Sequence, residues 1–78
     1  SSSIQQDLQQ LLVDFSRIES LDDDQDISQV IANVINLLDR AKQIDLFIAF
    51  DDSIVNSEQL KAQNSNLIVD IEALLAQL

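Results

Sequence analysis

Seventy-eight residues without Cys, His, Gly or Pro, carrying fourteen acidic against four basic side chains for a formal net charge of −10, exclude several classes of protein at once. Disulfides are impossible, zinc, iron and copper lose their usual ligands, and no glycine-rich phosphate loop can be built. The charge repels phosphate backbones and anionic lipid surfaces, and no apolar run approaches the roughly 18 residues of a membrane span, so neither nucleic acid nor membrane is expected as a partner.

One domain of this size buries only about 60% of its unfolded surface, and its core is marginal without a staple. With no cross-link or metal to call on, a partner or very regular helix packing has to supply it. Turns must come from Asp, Asn and Ser, which cap helices and tolerate tight bends. Apolar residues recur at helical spacing throughout, and the pattern predicts a single all-α domain over 1–78, with helices at about 4–20, 27–50 and 54–78.

The first helix opens on Ser3, with Gln6 three residues on, the spacing of a capping box. Ile4, Leu8, Leu11, Phe15 and Ile18, with Leu12 beside them, form one apolar stripe. Gln5, Gln6, Gln9, Gln10 and Asp14 cover the wet side, and only Val13 lies opposite the stripe.

An acidic run follows: Asp22, Asp23, Asp24 and Asp26. Alternating acids open a calcium-binding EF-hand loop, but that loop needs Gly at its sixth position and Glu at its twelfth. Ile27 and Asn33 stand there, so the acids are read as caps that complement the dipole of the next helix. Ser20 before this run has the sequence context of an acidic-directed kinase site, or is simply a loop serine.

The second helix carries two apolar rows, Ile27, Val34, Ala41, Ile48 and Val30, Leu37, Ile44, widened by Ile31, Ile35 and Leu38. Its apolar arc spans roughly half the circumference, more than one neighbour covers, and this predicts a central helix. Its last turn, Leu46-Phe47-Ile48-Ala49-Phe50, is apolar all round: either deeply buried or open to a partner.

Asp51-Asp52-Ser53 breaks the pattern. The third helix starts near Ser53 or Asn56, with Asn56 and Gln59 as a cap pair. Leu60, Leu67, Ile71, Leu74 and Leu78 make its stripe, flanked by Ile68 and Leu75. Asn64 interrupts it, either as a buried register-fixing polar residue or as a hydrated position near the wet end. Shifted by 56 positions, the first helix lies over the third: Ile4 on Leu60, Gln10 to Phe15 on Asn66 to Ile71, Ile18 on Leu74. Equivalent packing roles in an up-down-up bundle would produce this likeness.

The chain offers little for catalysis. A serine nucleophile would need a base, and there is no His. Lys42 and Lys61 fall on polar helix faces without a paired Ser, and the carboxylates cluster in connections where their pKa values stay ordinary. No enzyme, metal or cofactor is expected.

Two family resemblances bear on function. Asp52-Ser53-Ile54 resembles the Asp-Ser-Leu of acyl carrier proteins, which implies a phosphopantetheine-bearing Ser53. The Gly before the Asp and the following Val-Glu-Leu-like run are missing, and only 25 residues follow the Ser. Ala41-Lys42-Gln43-Ile44-Asp45-Leu46-Phe47-Ile48, followed by Ser57-Glu58-Gln59-Leu60, resembles about twenty residues of the small helical Mediator subunit that pairs with subunit seven. That resemblance implies a nuclear assembly subunit inactive alone, although the family's Ser-Leu-Pro break is replaced by Ala49-Phe50-Asp51-Asp52; the absence of Cys independently fits an intracellular, reducing compartment.

The expected architecture is a three-helix up-down-up bundle, or a helical hairpin that forms a coiled coil. The expected function is a non-catalytic protein–protein interaction module, a docking domain or complex subunit that binds a partner or a second copy. Ile35, Ile44, Phe47, Ile48, Phe50 and Asn64 are the expected interface, facing a partner with a basic rim. The alternative is a carrier protein modified at Ser53.

Overall fold

The computed structural model describes residues 3–19 and 26–78. It is an all-α bundle of three helices: α1 (Ile4–Glu19), α2 (Ile27–Phe50) and α3 (Ser57–Gln77). All three pairs of helices touch. Ser20 and Asp22, Asp23 and Asp24 lie outside the described residues.

Each start has a local cause. Ser3 and Gln6 close the predicted capping box: the Gln6 N–H donates to Ser3 Oγ at 3.1 Å, and the Ser3 N–H donates to Gln6 Oε1 at 3.3 Å. Two of the four orphan donors at the end of α1 are satisfied this way. Asp26 caps α2, accepting from the Ser28 N–H at 3.0 Å, as its place in the acidic run suggests.

The third start is the later of the two expected positions, but without the expected cap pair. Asn56 makes no side-chain cap; it sits in the left-handed region at φ 62°, and α3 begins at Ser57. In a chain without glycine, Asn is the residue that best tolerates this backbone. Ile54 and Val55, inside the expected span of 54–78, belong to the connection instead.

The helices run up, down and up. Asp14 of α1 pairs with Arg40 of α2, while Asp7, about two turns earlier, shares a groove with Phe47, about two turns later. Positions facing across this pair therefore sum to about the same number, the signature of antiparallel neighbours. On the other side, Asn64 of α3 reaches Ala41 and Asp45 of α2. With the connection at Asp51–Asn56, that contact makes α2 and α3 an antiparallel hairpin.

The core is the stripe read from sequence. Leu8, Leu11 and Phe15 of α1 meet Val30, Val34, Leu37, Ala41, Ile44 and Ile48 of α2 and Leu60, Leu67 and Ile71 of α3. Burial of each of these side chains other than Ala41 stabilises by about 1.5–3 kcal/mol. The 56-residue offset holds in packing: the buried set of α1 lands on Asn64, Leu67 and Ile71 of α3. Ile27 and Leu78 depart from their predicted rows and are exposed. The register places the end of α1 opposite the middle of α2, so the first turns of α2 extend past the α1 helix.

Candidate functional site: an apolar end with an acidic rim

The last turn of α2 is the apolar turn singled out from sequence, and its side chains divide. Ile48 is buried in the core, whereas Leu46 is 51%, Phe47 57% and Phe50 84% exposed. At 100° per residue, Leu46, Phe47 and Phe50 fall on one side of the helix, away from Ile48. Val55, in the connection to α3, is 78% exposed at the same end. Four large apolar side chains thus meet water together, where isolated ones would be unremarked.

The N-terminal turns of α1 return to this end. Ser3, Ile4, Gln5 and Asp7 line one wall of an open groove of about 580 Å³, and Phe47, Ile54, Val55 and Leu60 line the other, with Asp51 and Ser53 at its edge. A smaller groove of about 230 Å³ runs on between α1 and α2, lined by Asp7, Gln10, Arg40, Gln43, Ile44 and Phe47. Asp7 and Phe47 line both, so they form the ridge between them.

The rim is acidic and locally ordered. Asp51 terminates α2: its N–H donates to the Phe47 carbonyl at 3.0 Å. Its Oδ1 accepts from the Ser53 N–H at 2.9 Å and from Ser53 Oγ at 2.6 Å. These bonds, the hydroxyl first and the backbone second, hold the Asp51 carboxyl below its ordinary pKa of 3.8. No basic residue stands in the last turn of α2, so its C-terminal partial negative charge is not compensated from within the helix.

The structure separates the six residues predicted as interface. Phe47 and Phe50 are exposed on the apolar end. Ile35 is exposed too, but eleven residues earlier, about 16 Å along the helix from Leu46. Ile44 and Ile48 are corrected to core residues, 5% and 8% exposed, because they face α1 and α3. Asn64 is completely buried, so the hydrated wet-end reading is wrong. Its Nδ2 donates to Ala41 O and Asp45 Oδ1, each at 2.8 Å, while Oδ1 is buried without a partner. Both neighbours are acceptors, which fixes the amide orientation.

Leu46 and Val55 were missed as individual site residues. Leu46 was legible as part of the apolar turn; Val55 was not, because the expected span of 54–78 placed it in a helix.

Ser53 does not occupy a helix start. It lies in the turn four residues before α3, and its hydroxyl donates to Asp51. Among the described residues no cluster of three or more Asp or Glu is arranged to hold a metal ion, and no helix is long and apolar enough to cross a membrane. Comparison with protein-family models, curated proteins and solved structures finds no match.

Proposed function

We propose that this chain is a non-catalytic docking module, a small helical subunit that assembles with another protein through the end formed by Leu46, Phe47, Phe50 and Val55. The observation that supports this reading is the division within one helical turn: Ile48 completes the core while Leu46, Phe47 and Phe50 remain in solvent. Exposure of several large apolar side chains at one end of a bundle disfavours solubility and is characteristic of interaction sites. Aromatic anchors beside a groove are the usual source of binding energy at interfaces. The partner is another protein with a basic rim, because a second copy would bring its own charge of −10 against this one. Nothing in the geometry of Ser53 favours the carrier reading over this one.

The test uses site-specific photo-crosslinking in cells. A photoreactive phenylalanine analogue at position 50 should capture one discrete partner, and Phe47→Asp in the same chain should abolish the capture. The same analogue at Val69, 63% exposed on α3, serves as the control surface. Identical products from positions 50 and 69, or capture indifferent to Phe47→Asp, would refute the assignment.

A further inference from the structure

We infer that the ridge formed by Asp7 and Phe47 receives an arginine or lysine side chain, presented by a partner helix whose neighbouring apolar side chain enters the groove against Ile54 and Val55. The inference rests on the docking reading above and adds the chemistry of what docks.

Three observations at this end favour a cation. First, Asp7 stands beside the half-exposed ring of Phe47 and lines both grooves with it. Among the described residues no side chain hydrogen-bonds or ion-pairs with the Asp7 carboxylate. A guanidinium or ammonium over the ring face with its N–H groups on the carboxylate satisfies both groups. Second, the C-terminus of α2 points its partial negative charge into the same region with no basic residue in its last turn, and Asp51 and Asp52 follow it directly. Third, the larger groove is lined by Asp7 and Asp51 and by no basic residue. Arg40, at the smaller groove, already pairs with Asp14.

The opposing field comes from two helix N-termini. That of α1 is met by the Ser3–Gln6 box and by Asp7 in its first turn; that of α3 has no side-chain cap but carries Glu58 in its first turn. The groove walls are apolar enough, through Ile4, Ile54, Val55 and Leu60, to hold an aliphatic or aromatic side chain next to the cation. A basic amphipathic helix presents that pair of side chains at positions three or four apart.

Two synthetic helical peptides test this, identical in an apolar face of leucines and differing only in whether Arg or Glu flanks that face. Each is titrated into the isotope-labelled full chain and followed by NMR. The Arg-flanked peptide should bind at least about tenfold more tightly than the Glu-flanked one, with shifts concentrated at Asp7, Phe47 and Val55. Asp7→Asn should weaken it about threefold, whereas Asp70→Asn, the same charge change on an exposed site of α3, should leave it unchanged. Equal weakening by both substitutions would reduce the effect to overall charge and overturn the inference. Equal binding of both peptides at Phe47 and Val55 would overturn it while sparing the docking reading. Shifts confined to other surfaces, or no binding by either peptide, would overturn both.

Discussion

Asn64 donates from Nδ2 to the backbone carbonyl of Ala41 at 2.8 Å, inside a bundle where the equivalent position of α1 is Leu8. The contact needs a small residue at position 41, since a larger side chain would hold α3 too far away for the amide to reach the backbone of α2. It also has a cost. Asn64 Oδ1 is buried with no partner, a penalty of about 1–3 kcal/mol.

That arrangement makes stability and specificity separable at this site. Asn64→Leu should stabilise the chain by about 1 kcal/mol, because leucine already packs at the corresponding place on α1 and buried polar groups are often improved by apolar isosteres. It should also admit alternative helix registers, as the loss of a single buried Asn does in coiled coils. Thermal melting and sedimentation equilibrium read the two effects. Asn64→Asp should cost about 3 kcal/mol or more, because it sets a second carboxylate against Asp45. A variant Asn64→Leu that melts lower than wild type would contradict this account.

The reassignment of Ile44 and Ile48 has its own test by urea denaturation. Ile44→Ala and Ile48→Ala should each destabilise by about 2–4 kcal/mol, the range for emptied core positions. Phe50→Ser, on a side chain 84% exposed, should change stability by less than about 0.5 kcal/mol. Near-equal effects would mean that the last turn of α2 is not divided between core and surface.

Asp14 and Arg40 set an acid limit on the attachment of α1. Asp14 accepts from Arg40 at 2.9 Å and from Gln10 at 3.0 Å. These bonds, Arg40 first, hold its pKa below the ordinary 3.8. A depressed folded pKa contributes stability that is present above the unfolded value and lost as pH falls through the folded one. The contribution therefore fades below about pH 4. It is under about 1 kcal/mol, since Arg40 is 39% and Asp14 26% exposed and water screens the pair. Protonation of the other carboxylates relieves self-repulsion over the same range and acts in the opposite sense. The measurement is thus a difference: the stability gap between wild type and Asp14→Asn should close as pH falls through this window.

The left-handed backbone at Asn56 predicts a ranking at the α2–α3 turn. Asn56→Gly should be nearly neutral, while Asn56→Val should cost about 1–2 kcal/mol through the clash of a branched side chain at φ 62°. Chemical denaturation of the two variants side by side checks it.

Helical spacing alone determined that this chain makes three helices, that α2 is the middle one, and that Leu8, Leu11, Val34, Leu37, Leu67 and Ile71 are core. A 3.6-residue period leaves those residues only one face to share. The Ser3–Gln6 box was legible for the same reason: both partners lie within one turn, so no distant contact can override them. The division of Leu46, Phe47, Ile48 and Phe50 between core and water was decided only by the tertiary structure. A turn that is apolar all round carries no periodicity, and the angle at which α1 and α3 meet α2 chooses the face that is covered. The burial of Asn64 and the exposure of Val55 were settled in the same way, by where a neighbouring helix lies and where a connection ends.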